Sequence, residues 1–262
     1  MKDSVPIFID SSTEQAKCSL FMDSFETASE TLDRHIGSNP YPGRGLVVGK
    51  SASGEAWQQV YFIMGRSPNS RNRQFAIEGS NLETQPFDPS KVEDSSLIIY
   101  EAMLETGKRF LVSNGDQTRT LRDGLETGGT MRSALGQRER EPDAPNYTPR
   151  ITGLLDLHGA EASIGLSILK ANKINPCLTD RHYFYPDVPG DGIGYGLTTY
   201  MGDGTPLPTF VGDPILLPLK ETAEETLETY WDALDKNNRI SLAVKEVALD
   251  GSSSRIVFKN KY

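Results

Sequence analysis

Helical periodicity is strong at only two places in the chain. Over residues 12–34, Ser12 is placed to cap a helix in which Ala16, Leu20, Phe21, Phe25, Ala28 and Leu32 share a face, and Gly37-Ser38-Asn39-Pro40 stops it. Over residues 221–235, Ala223, Leu227, Tyr230, Trp231 and Leu234 form the second apolar face. A shorter helix is expected over 117–125, between the Asn114-Gly115-Asp116 turn and Gly128-Gly129. Most other apolar positions fall in short runs, at 45–48, 58–64, 74–78, 97–100, 109–112, 151–157, 162–169, 240–249 and 255–258. Hairpin-length breaks such as Thr106-Gly107-Lys108, His158-Gly159-Ala160-Glu161 and Asp250-Gly251-Ser252 join several of them. Consecutive hairpins favour antiparallel pairing, and helices placed early, midway and late would cover the outer faces of two packed sheets. An α+β sandwich is the predicted class. Residues 136–149, charged and containing Pro142, Pro145 and Pro149, read as a loop that disturbs the core, and the Gly- and Pro-dense 186–218 as loops over a sheet edge.

Composition narrows the function classes. The 262 residues carry 27 basic against 36 acidic side chains, a net charge of −9, with 37% hydrophobic residues. No run approaches the roughly 20 apolar residues of a membrane span, and the apolar stretch at residues 5–9 is too short for a signal-peptide core. Two cysteines, Cys18 and Cys177, make no disulfide framework and suit a reducing, cytoplasmic location. Three scattered histidines, His35, His158 and His182, leave little material for zinc or a histidine relay, so no metal or cofactor is expected. An isoelectric point near 5.0 and the lack of a long basic run argue against nucleic acid.

The charge is unevenly distributed. Residues 44–150 hold eleven Arg and three Lys against fourteen acids, whereas the rest has four Arg and nine Lys against 22 acids. Arginine presents a planar fork of donors suited to phosphate and carboxylate groups. Within this region four clusters set Arg or Asn beside Gly or Pro: Tyr41-Pro42-Gly43-Arg44, 65–71 with Arg66, Ser67, Asn69 and Arg71, Ser113-Asn114-Gly115-Asp116, and Tyr147-Thr148-Pro149-Arg150. Charge-assisted donors and exposed backbone N–H groups are what a phosphate requires. By contrast, Gly192-Ile193-Gly194 lacks the strand-then-helix context of a dinucleotide site, and Ser51 and Ser53 before Gly54 lack phosphate-loop spacing.

In this order the clusters resemble the archaeal-type inosine monophosphate (IMP) cyclohydrolases. The resemblance is carried by YPGRGLVVG at 41–49, RSPNSR at 66–71, IIY ending at Tyr100, FLVSNGDQT at 110–118, NYTPRI at 146–151 and GAEASIGL at 159–166, and more thinly by TTYMGDGTPLPTF. It implies a four-layered αββα sandwich of two mainly antiparallel sheets, similar to the N-terminal nucleophile hydrolases but without the processed nucleophile. It also implies a domain over 41–262; the helical extension over 1–40 is a departure from the short archaeal proteins, and packing on an outer face and a homo-oligomer contact are both open to it.

The implied reaction is dehydrative closure of 5-formamidoimidazole-4-carboxamide ribonucleotide (FAICAR) to IMP, in purine biosynthesis. By resemblance, Arg44, Arg71 and Arg150 hold the phosphate or the reacting groups, Tyr100 exchanges a proton with the formyl oxygen, and Glu141 is the candidate base. Asn114 and Gly115 offer amide and backbone donors, and Arg66, Ser67 and Asn69 belong to the same binding set. Arg73 competes with Arg71, because the family writes Ser-Phe-Pro-Asn-Arg where this chain has Ser67-Pro68-Asn69-Ser70-Arg71. Two other functions fit parts of the pattern: a non-catalytic purine-nucleotide-binding module, and an amidohydrolase acting on a small amide after trimming to Cys18 or a serine.

Overall fold

A computed structural model of the chain describes residues 24–92 and 99–262. Residues 24–32 form helix α1, which runs into a π-helical turn at Asp33–Gly37 and stops at the expected Gly-Ser-Asn-Pro. The earlier part of the expected helix, 12–23, lies outside the described residues.

Thirteen strands follow among the described residues: β1 Arg44–Lys50, β2 Ala56–Met64, β3 Gln74–Glu78, β4 Asn81–Gln85, β5 Tyr100–Thr106, β6 Arg109–Ser113, β7 Arg150–Asp156, β8 Ser163–Ala171, β9 Thr179–Phe184, β10 Ile193–Thr198, β11 Ile215–Pro218, β12 Arg239–Ala248 and β13 Ser254–Asn260. The helices after α1 are α2 Pro68–Arg71, α3 Gln117–Glu126, α4 Met131–Leu135 and α5 Ala223–Ala233. The strands make two sheets in the orders β11-β10-β1-β2-β12-β13 and β3-β4-β5-β6-β7-β8-β9, with antiparallel pairing throughout.

Alternation along the strands divides the apolar residues into three sets. Leu46, Val48, Tyr61 and Ile63 of the first sheet pack against Phe75, Tyr100, Met103, Val112, Ile151 and Ile168 of the second, so the main core lies between the sheets. Val47, Val60, Phe62 and Val244 face outward and are covered by Leu32 and Ile36 at the end of the first helix and by Leu227, Tyr230 and Trp231 of α5. Of the two placements open for the N-terminal helix, its described part takes the outer face. On the far side, Leu121 and Leu125 of α3 and Met131 and Leu135 of α4 cover Leu111 and Leu154. The α5 helix begins with a capping box between Thr222 and Glu225, the local signal that starts it.

Several expectations change. The run 97–100 was to end at Tyr100; residues 97–98 lie outside the described residues, and Tyr100 begins β5, held at its backbone N–H and C=O by the Thr84 hydroxyl. The glycine-rich stretch after 186 supplies an interior strand, because β10 lies between β1 and β11. Its glycines admit that packing: a Cβ on Gly194 would meet Val47 at 2.6 Å and one on Gly196 would meet Leu217 at 2.6 Å. β4 and β9 carry too few apolar positions to signal themselves, and α4 is too short to show a period. No described helix is long and apolar enough to cross a membrane.

One buried ion pair joins the sheets. Lys245 of β12 is fully enclosed, with Nζ 2.7 Å from Glu105 Oε2 and 2.9 Å from Ser80 O, over the Phe110 ring. Burial pushes the Lys245 ammonium down; burial also opposes the Glu105 charge, but Lys245, Ser80 and Ser254 together outweigh it and hold the Glu105 carboxyl below the ordinary range. The lysine therefore bears most of the desolvation cost and the partly buried glutamate gains. Glu105→Ala should lower stability by about 3 kcal/mol by stranding the ammonium, and Lys245→Met should cost clearly less, as read by urea denaturation.

Candidate active site

The strand ends that carry the Arg and Tyr motifs converge at one end of the sandwich. At the start of β1, Gly43 adopts φ +79°, and a Cβ there would come 2.2 Å from Thr199 Oγ1 and 2.5 Å from the Tyr200 ring, so the Pro-Gly-Arg sequence permits a close crossing. The next residue, Arg44, faces the space between the sheets. Its Nη1 and Nη2 each donate at 3.0 Å to the two oxygens of Glu141, and Nη1 also donates to Asn114 O at 3.0 Å. Burial opposes the Arg44 charge, yet Glu141 more than offsets it and holds the guanidinium firmly protonated. The Arg44 field also reaches the Tyr100, Tyr61 and Tyr200 hydroxyls.

The loop expected to disturb the core instead walls the site. Glu141 and Thr148 are buried, Glu141 N–H bonds Thr148 O, and the Asp143 carboxylate accepts both the backbone N–H and the hydroxyl of Thr148. Burial of Glu141 follows from its bidentate partner, 97 residues away in sequence.

These elements enclose a cleft of about 260 Å³. Of the residues singled out from sequence, Arg44, Arg66, Ser67, Asn69, Arg73 and Glu141 line it. Arg66 lies over the Tyr41 ring and is paired with Asp203 and Gly204 O. The Ser67 hydroxyl caps α2 by accepting from Ser70 N–H, and Asn69 Oδ1 is buried with no protein partner. Arg73 is 8% exposed, its Nε is buried without a partner, and among the described residues its guanidinium makes no hydrogen bond or ion pair. Its charge acts on Tyr41 and Tyr61, both held above the ordinary phenol value chiefly by burial. Tyr100 stands behind the cleft, its hydroxyl 2.7 Å from that of Tyr61.

Besides Tyr100, four predicted residues do not line the cleft. Arg71 turns away, Nη2 donating to Asn238 Oδ1 at 3.1 Å and Nε to Arg66 O at 3.3 Å. Asn114 spends its side chain on structure: its amide donates to Pro149 O, and its oxygen accepts from Ile151 N–H and Gln117. Gly115 O accepts from the Ser113 and Thr118 hydroxyls. Arg150 is held at Nη1 by Asp116 and Gln117, each at 2.8 Å, although its charge still reaches Glu141 and Arg44. Tyr100 instead lines a larger hollow of about 370 Å³, where Glu83, Glu101, Asp116 and Asp123 surround a single cation, Arg119, so the first cleft is the more cationic of the two.

Sequence reasoning missed Tyr41 as a wall residue, and with it Asp143, Thr148 and Tyr200. The last two lie inside quoted motifs, Asn-Tyr-Thr-Pro-Arg and Thr-Thr-Tyr-Met-Gly-Asp-Gly, where the aromatic or hydroxyl residue precedes the conspicuous Arg or Gly.

Residues 41–251 match the model of the family described as IMP cyclohydrolase-like protein. The chain belongs to this family. Its relatives include a protein of Methanothrix thermoacetophila named IMP cyclohydrolase, 32% identical over 133 residues, which are 48% of this chain and 62% of that protein. A second, from Methanopyrus kandleri and also named IMP cyclohydrolase, is 30% identical over 164 residues, 61% of this chain and 75% of the relative. The chain thus spans less than two thirds of the first relative's length. The matched stretch contains every residue that lines the cleft.

The two kinds of buried arginine in this family member should respond oppositely to mutation. Arg73→Met removes an unpaired charge and should leave the melting temperature unchanged or raised. Glu141→Ala strands the Arg44 guanidinium and should cost about 3 kcal/mol; thermal and urea unfolding of both variants checks this.

Proposed function

We propose that the chain is an IMP cyclohydrolase that closes FAICAR to IMP with loss of water, in a sandwich of the N-terminal nucleophile hydrolase type. The observation that carries this reading is the unpaired guanidinium of Arg73 in a cleft it shares with Arg44 and Arg66. A buried cation without a partner is costly, and a phosphate or carboxamide oxygen supplies the missing acceptor. Family membership and the names of the two relatives support the same substrate.

In this reaction the carboxamide nitrogen bonds to the formyl carbon, and the formyl oxygen leaves as water with one proton from each nitrogen. Both reacting groups sit on one ring, so holding them in contact geometry removes much of the barrier. Glu141 keeps a free lone pair on each oxygen beyond its Arg44 bonds and is assigned the carboxamide proton. Arg44 steadies the charge that develops on oxygen. Tyr100, coupled to Tyr61, is assigned proton donation to the formyl oxygen. Arg73 and Arg66 hold the phosphate. Arg73 takes the role that resemblance offered first to Arg71, which is occupied by Asn238. Asn114 and Arg150 support this set from behind, through Arg44 and Glu141.

The division into an extension over 1–40 and a domain over 41–262, and a cytoplasmic location, complete the proposal; a small nucleotide is the partner. Incubation with FAICAR should develop the ultraviolet absorbance of the purine ring. Arg73→Ala should lower kcat/KM by about ten- to a hundredfold, the worth of one charge-assisted bond, and Arg71→Ala by much less. Tyr100→Phe should reduce kcat more than it raises KM. Binding of FAICAR without purine formation would leave only the nucleotide-binding module.

A further inference from the structure

One hydrogen-bond chain in the cleft has its direction set by the acid at its end. Asp143 accepts from Thr148 at both oxygens, from the backbone N–H at 2.7 Å and from the hydroxyl. A carboxylate has no proton to give, so the Thr148 hydroxyl proton is committed to Asp143. Thr148 Oγ1 also lies 2.6 Å from Tyr200 Oη. The proton in that contact must then be the tyrosine's own: Tyr200 donates and Thr148 accepts. Tyr200 lines the cleft, is 4% exposed and stacks on Tyr41 with centroids 6.0 Å apart. Burial holds its phenol above the ordinary value, so the proton stays on the oxygen. Tyr200 Oη makes no other hydrogen bond among the described residues. What it has left to offer is lone pairs.

We propose that Tyr200 Oη is an obligate hydrogen-bond acceptor in the cleft, fixed by Thr148 and Asp143, which selects a ligand presenting an N–H over one presenting a bare ring nitrogen. This inference rests on the purine-nucleotide reading above. There the N–H is that of the carboxamide nitrogen, which keeps one proton through closure and becomes the ring N–H of IMP. Adenosine monophosphate (AMP) has an unprotonated nitrogen at that ring position, and two lone pairs would face each other. Tyr200 is the binding residue, and Thr148 and Asp143 are positioning residues.

The chain can be reversed without changing its shape. In Asp143→Asn, the Thr148 N–H still needs an acceptor, which keeps the amide oxygen on it and turns the amide NH₂ toward Thr148 Oγ1. The Thr148 hydroxyl must then donate to Tyr200, and the tyrosine proton swings into the cleft. Titration calorimetry with IMP and AMP tests this on the full chain. Wild-type protein should prefer IMP. Asp143→Asn should reduce that preference by about tenfold and bind AMP more tightly than wild type, a gain that structural damage does not produce. Tyr200→Phe should weaken IMP by about five- to tenfold with AMP unaffected.

An unchanged ratio in Asp143→Asn overturns the proposal. If that variant does not fold, equal losses or no loss in Tyr200→Phe overturn it, as does a wild-type protein that binds neither nucleotide. Wild-type protein that fails to close FAICAR yet shows the preference, with its reduction in Asp143→Asn, would sink the activity and leave the acceptor standing. Normal turnover with an unchanged ratio in Asp143→Asn would do the opposite.

Discussion

The Arg44 guanidinium lies where the two sheets open at the cleft, and its partners come from both sides of that opening. It is bonded to Glu141 in the loop before β7 and to Asn114 O beyond the end of β6. A guanidinium removed from water is expensive unless several of its donors are matched. That requirement pulls a charged, proline-containing segment across the mouth of the sandwich. Once Glu141 is drawn in, the rest of the loop follows, closed by the Asp143 bonds to Thr148. The wall of the cleft is therefore a consequence of burying one cation.

The remaining arginines divide according to whether the fold supplies an acid. Arg150 is matched by Asp116 and Gln117, and Arg66 by Asp203, whereas Arg71 takes Asn238. Arg73 is buried with none. Pairing makes a guanidinium part of the scaffold, and an unpaired one keeps its donors free. The same logic separates the Lys245–Glu105 link, which ties the sheets together, from the cleft, where Arg73 has no acid.

Hydroxyl groups impose a second kind of order. Tyr61 and Tyr100 share one contact, and Tyr200, Thr148 and Asp143 form another. Burial keeps the Tyr61 and Tyr200 phenols neutral, so these groups act through the direction of their protons. Direction is set by the terminal group of each chain, and in the second chain that group is an acid.

Local pattern was enough for much of the architecture. The 3.6-residue spacing of Ala223, Leu227, Tyr230 and Trp231, the turn at Asp250-Gly251-Ser252 and the bounds of β3 are each written within a few residues, because capping, turn conformation and face alternation are short-range effects. The order of the Arg- and Asn-bearing clusters was likewise enough to point to the family. The chain alone did not show which of Arg71 and Arg73 lines the cleft, did not bury Glu141, and did not make an interior strand of residues 193–198. Each of those outcomes depends on a partner from a distant part of the chain: Asn238 for Arg71, Arg44 for Glu141, β1 for β10. Periodicity says which face of an element is apolar, but the charge and shape of whatever meets that face exist only after the sheets have packed.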